Sequence, residues 1–266
     1  MNNVFVRAKN LNNSVGSGFV NLYFTDCTLF SLPSRWIPVG GASGVYNIAF
    51  VDGSSNKNIA PSTVAITQSA FLITNVPGNA HYCLIAVVQT PAHPIGIPTS
   101  FQSNAAFSNW VTRNPGVAQR NISHQPSRVT TMISRYTFGN INSGPESFRV
   151  RVVGKGFKTG TPVTYQCTDQ ACPVNQTVTL PAPDTNGNQI TGFDLSVPGN
   201  FSGTFTVTAT TTDPNFPVGA TLVTQYFQYP DMSSAFECAV ARDVVASDSS
   251  VPSMIKLGEC TVVVVS

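Results

Sequence analysis

The stretch that most constrains this chain runs from Asn75 to Pro91, NVPGNAHYCLIAVVQTP. A Pro77-Gly78-Asn79 turn leads into His81–Val88, an almost wholly apolar run that closes on Pro91. A run this short, bounded by turn formers and rich in β-formers, does not make a globular helix. It fits a strand at the centre of a β-sandwich.

The rest of the chain reads in the same way. Residues 3–10 alternate, with Val4, Val6 and Ala8 set against Phe5, Arg7 and Lys9, and predict one half-buried strand. Phe19–Thr25, Val45–Val51 and Thr63–Thr74 predict further strands. Asn104–Thr112 is the one helix expected, with Ser103 as its N-cap and Asn114-Pro115 beyond its end. After the polar junction Ser123–Ser127, strands are predicted over Arg128–Phe138, Ser147–Val153, Pro162–Cys167, Gln176–Leu180, Gln189–Val197, Gly203–Thr212, Ala220–Tyr229, Phe236–Val244 and Ile255–Val265. Strands at this spacing, with no helix among them, argue for a second sandwich. The four valines of the closing ECTVVVVS suit burial on both faces. The expected fold is all-β, with two immunoglobulin-like β-sandwich domains in tandem over 1–124 and 125–266. At 266 residues the chain is long enough for two cores. Tyr82-Cys83 loosely resembles the immunoglobulin corner, where a strand enters the core beside a cysteine, although here the aromatic sits one residue before the cysteine instead of two.

Composition narrows the function. Charged residues are 10% of the chain and the net charge is +2, so the clustered Lys and Arg of a phosphate-neutralising nucleic-acid binder are missing. Hydrophobic residues at 42% argue against disorder. No apolar run reaches the ~20 residues of a membrane helix. MNNVFVRAKN holds no h-region or cleavage site of a secretory signal. The chain therefore stays inside, leaves by a signal-independent route, or belongs to a longer protein.

The pattern NVFVRAKNLNNSVGSGFVNLYF, RWIPVG, VPGNAHYCLIAVVQTPAHP and FSNWVTRNPGVAQRNIS resembles the CARDB group, cell-adhesion-related domains found in bacteria. Arg7, Asn10, Leu22, Tyr23, Trp36, His81, Cys83, Leu84, Ala86, Arg120 and Asn121 carry the likeness over about residues 3–123, and Gln119 departs from it. The resemblance implies an accessory or adhesive β-sandwich and no chemistry. Related domains have a strand before the one at residues 4–8, where this chain has only Met1-Asn2. That gap would leave a sheet edge open to strand addition, with Cys260–Ser266 as the expected donor, or else another chain or sequence upstream of Met1.

Site candidates are few. Trp36 and Trp110, with aromatic neighbours, form a candidate sugar-stacking platform, against a competing reading as core plugs. His81, His93 and His124 lack the spacing that sets two imidazoles on one ion, and His81 with Cys83 makes only a half-site. Cys167–Cys172 and Cys238–Cys260 are expected to be disulfides if the protein matures in an oxidising place. The second would close a loop of about twenty residues and contribute ~3 kcal/mol. Asp184-x-Asn186-Gly187-Asn188 resembles part of a calcium loop but reads better as a hairpin turn. No nucleophile elbow, marked carboxylate pair or phosphate-binding glycine loop appears, and no cofactor or metal is expected.

The function expected is that of a non-catalytic bacterial surface, exported or assembly-forming module that binds protein, associates with itself or adheres. Its rivals are a carbohydrate-binding protein and a hydrolase or toxin component delivered without a signal.

Overall fold

The structure, a computed structural model, describes residues 2–26, 32–73, 82–121, 124–244 and 254–266. The first half contains β1 (Asn2–Val4), β2 (Arg7–Lys9), β3 (Phe19–Asp26), β4 (Ile37–Val39), β5 (Asn47–Val51), β6 (Val64–Thr67), β7 (Phe71–Ile73), β8 (Tyr82–Gln89) and β9 (Val117–Asn121). A 3-10 turn at Pro33–Arg35 precedes β4, and helix α1 (Asn104–Arg113) lies between β8 and β9. The main sheet runs β2-β6-β5-β3-β8-β9, with β4 on β3, and β1 pairs separately with β7.

β8 behaves as its composition demands. Every residue from Cys83 to Val87 is buried, so both strand faces are covered. Leu84 and Ala86 join Val20, Leu22, Ile48, Phe50 and Phe71 in the core of the first half. Cys83 belongs instead to the core that takes in Ala105 and Phe107 of α1. The single strand expected over residues 3–10 is two. β1 pairs with β7 up to Val4, and β2 pairs with β6 from Arg7. The chain thus changes sheets at Phe5 and Val6.

The second half contains β10 (His124–Pro126), β11 (Thr131–Asn140), β12 (Glu146–Lys155), β13 (Pro162–Cys167), β14 (Val174–Thr179), β15 (Asn188–Val197), β16 (Phe201–Thr210), β17 (Thr221–Gln228), helix α2 (Ala235–Val244) and β18 (Ile255–Val265). They build a four-stranded sheet, β11-β16-β13-β14, and a five-stranded sheet, β10-β18-β17-β12-β15. The core between them is aromatic. Phe138 stacks on Phe205 at 3.8 Å, and Phe148 stacks on Tyr226 at 4.9 Å. The chain is all-β, with β15 at one edge of the five-stranded sheet and β11 at one edge of the four-stranded sheet.

Two expectations for this half are overturned. Phe236–Val244 is not a strand but most of α2. Ser234 caps α2: its Oγ accepts from Glu237 N at 3.3 Å, while Glu237 Oε2 accepts from Asp231 N, three residues before the cap, at 2.8 Å. Ala235, Ala239 and Ala241 then favour helix over strand. Cys260–Ser266 is also not a donor to the first half. β18 is held between β17 and β10, with Val263 opposite both Thr221 and His124.

No sheet spans the two halves among the described residues, and 124/125 falls within β10. Their packing does cross, because α1 rests against both α2 and β18.

Candidate functional site

The site is built on α1 and the 3-10 turn. Ser103 is extended, and its Oγ accepts from Ala106 N at 3.1 Å, which starts α1. One face of the helix buries Ala105 and Phe107, while Trp110 is half-buried beside it and donates from Nε1 to Gly96 O at 3.3 Å. Pro33, suited to the first helical position, opens the 3-10 turn that delivers Trp36.

The two tryptophans meet. Their ring centroids are 6.2 Å apart, within a series that runs from Tyr23 (5.6 Å from Trp36) to Phe101 (5.7 Å from Trp110) and Phe107. Trp36 and Trp110 are inclined by 47°, so a sugar ring can lie flat on one of them only. Both are half-buried, with part of each ring in solvent.

Arg35, next to Trp36, reaches the second half and donates from Nη2 to Ser202 Oγ at 3.1 Å. It helps to line a cleft of about 220 Å³ with Leu32, Asn140, Asn200, Phe201 and Ser202. That is below the ~300 Å³ at which small-molecule pockets begin. Under the cleft lies a buried amide network. Asn104 donates from Nδ2 to Asn140 Oδ1 at 3.0 Å, and its Oδ1 accepts from Ile141 N at 3.2 Å. Asn104 N donates to Asn142 Oδ1, and Asn140 Nδ2 to the carbonyls of Gly144 and Val197. Sequence reasoning missed these residues because asparagines near Gly144 look like turn formers. The available signal was an Asn directly after an N-cap, facing inward on a helix with an apolar stripe.

The disulfide expectation is corrected. Cys167, Cys172, Cys238 and Cys260 are all thiols. Cys238 sits on α2, which the sequence reading took for a strand, while Cys260 is fully buried on β18. Cys172 is buried, with its Sγ 3.7 Å from Ser196 O. Burial, and then Cys167 and Asp169 nearby, push its thiol above the usual range. His81 lies outside the described residues, Cys83 is fully buried, and His93 is exposed. The described residues contain no group of three or more His, Cys, Asp or Glu able to hold a metal ion.

Asp184 forms a turn. Its Oδ1 accepts from Asn186 N and Asn188 N, each at 2.8 Å, and Gly187 has φ +79°. These backbone bonds, led by Asn188, hold its carboxyl below the usual range. The turn joins two different sheets, which a hairpin would not. On the outer face of the five-stranded sheet, Arg149 bonds both oxygens of Asp194 at 2.9 and 3.2 Å, and Tyr229 donates to the same carboxylate at 2.8 Å.

No protein-family model matches the chain, and none of the curated proteins matches it.

Proposed function

We propose that the chain is a non-catalytic module that binds protein at a bacterial surface or within an exported assembly, as its resemblance to CARDB domains implies. One observation carries this reading. Among the described residues, the exposed large apolar side chains concentrate in the first half: Phe5, Leu11, Val15, Phe19, Ile37, Val45, Tyr46, Val64 and Ile66. Val64 and Ile66, 45% and 38% exposed, share one face of β6, opposite Lys9 and Arg7 of β2. Two adjacent exposed apolar side chains beside paired charges fit a protein-binding face.

The test offers the full chain to intact bacterial cells before and after the cells are treated with protease. Retention lost on that treatment, and lost in V64D/I66D, supports protein binding. Retention that survives protease and is competed by free sugars supports a second reading, carbohydrate binding. That alternative is favoured by the meeting of Trp36 and Trp110 beside Arg35 and Asn200.

A further inference from the structure

The free edges of the sheets differ in one respect. β2 carries Arg7 and Lys9, β9 carries Arg120, β11 carries Arg135 and β15 carries Asp194, the three-residue strands β4 and β10 contain proline, and the three-residue strands β1 and β7, which have neither, pair with each other. Proline on an edge strand discourages pairing with any other chain, and charge discourages pairing with an edge that does not complement it. β14, VNQTVT, has neither. It pairs only with β13, and Asn175, Gln176, Thr177 and Thr179 are exposed.

The direction of its free backbone groups follows from its ladder. Leu180 N donates to Thr161 O at 3.0 Å, so this pair is bonded. Bonded and non-bonded pairs alternate in an antiparallel ladder. Val178, Gln176 and Val174 therefore face β13, and Asn175, Thr177 and Thr179 turn their N–H and C=O groups outward. The same reasoning applies to β2. Asn10 N donates to Thr63 O and Thr67 N to Val6 O, both at 3.0 Å. Ala8 therefore faces β6, and Arg7 and Lys9 point their backbone groups to the free edge.

Charge then selects the pairing. Residues 1–123 contain six Lys and Arg against two acids, and residues 124–266 contain eight against ten. Asp169 and Asp184 lie in the connections at the two ends of β14. Their carboxylates accept from backbone amides of their own turns, and neither forms an ion pair among the described residues. Two β2 edges brought together would oppose Arg7 and Lys9 to themselves. Two β14 edges paired antiparallel would bring the Asp169 end of one copy to the Asp184 end of the other. Only the mixed contact sets the basic strand against the acid-flanked one.

We propose that the chain associates head to tail with further copies of itself, β2 of one copy adding antiparallel to the free edge of β14 of the next. In this register Arg7 faces Thr177 and Lys9 faces Asn175, so outward groups meet outward groups. The contact is heterologous and leaves a β2 and a β14 unused at the ends, so it propagates instead of closing. The inference rests on the protein-binding reading and names a second copy as the partner.

Sedimentation equilibrium of the full chain over a range of concentrations tests it. The average mass should rise past that of a dimer without a plateau, and association should weaken about tenfold in ~0.5 M NaCl, where screening is short-ranged. T177P, which removes an outward N–H and no ladder bond, should be monomeric with an unchanged circular dichroism spectrum. R7E/K9E and N175K/T179K should each be monomeric, and the combination of all four changes should associate again. A monomer at every concentration, a plateau at the dimer, or a folded four-fold variant that stays monomeric overturns the proposal. A monomeric chain that cells still retain through their surface proteins would sink this inference alone. A monomeric chain that cells do not retain would sink the protein-binding reading as well.

Discussion

The hydroxyl of Tyr226 on β17 donates to the carbonyl of Gly139 on β11, 3.1 Å away, and so bonds one sheet of the second half to the other through the core. Position 139 has no room for a side chain, since a Cβ there would lie 2.5 Å from Phe201 O. Tyr226→Phe keeps the ring stacked on Phe148 and removes only this bond. It should cost about 1 to 2 kcal/mol in urea unfolding, the penalty of a buried acceptor left short of its donor. A cost near zero would show that the bond contributes nothing net.

Gln228 makes the opposite case. It is fully buried at the end of β17, opposite Phe148 and Ile255, and neither amide atom has a hydrogen-bond partner among the described residues. Burying an amide without partners is costly, so Gln228→Met, similar in length and apolar, should leave stability unchanged or raise it by about 1 kcal/mol. A midpoint shifted to lower urea would mean that the amide is satisfied in solution.

Asn104→Ala removes the amide that joins α1 to Asn140 and to Ile141 N. One buried and one part-buried bond are lost, and Asn140 Oδ1 keeps its bond from Asn142 N, so the expected destabilisation is about 1 to 2 kcal/mol. Hydrogen exchange should quicken at residues 140–142 as well as in α1. Asn109→Ala, on the same helix, should leave the amides of 140–142 as protected as before.

Alkaline pH should unfold the second half. Burial is the chief cause that raises the Tyr165 and Tyr226 phenols above 10.0, with Thr224 opposing it at Tyr165 and the nearby Cys260 and Cys172 adding to it. Both folded values exceed the unfolded one. Their contribution is therefore fully present below 10.0 and is lost as pH rises through the folded values. Phenolate absorbance should show these tyrosines ionising only together with loss of the β-sheet circular dichroism signal. Ionisation of all seven tyrosines near 10.0 with the β signal intact would mean that Tyr165 and Tyr226 are open to solvent in the folded protein.

The strength of local signals decided how much of this could be read in advance. β8 was legible because both faces are buried, which leaves an unbroken apolar run. α1 was legible because Ser103 caps it and Asn114-Pro115 follows it. α2 was not, since Phe236, Val240 and Val244 have the look of a strand and a lone Ser234 N-cap is a weak signal. The change of sheet at Phe5 and Val6 leaves the alternation on either side intact, so the pattern of residues 3–10 could not reveal it. At the site, Trp36 and Trp110 were singled out by residue type alone. Their contact, the reach of Arg35 and the asparagine network depend on tertiary folding that no spacing encodes.

The position of α1 bears on how such a chain can be inherited. Its Trp110 packs against Trp36, while Asn104 bonds residues 140 and 141 on the far side of the junction. A recombination event that cut between 104 and 142 would strip the helix from one set of contacts or the other, and both resulting pieces would carry an opened interior. The two halves, though they keep separate sheets, are therefore expected to pass between genomes as one cassette.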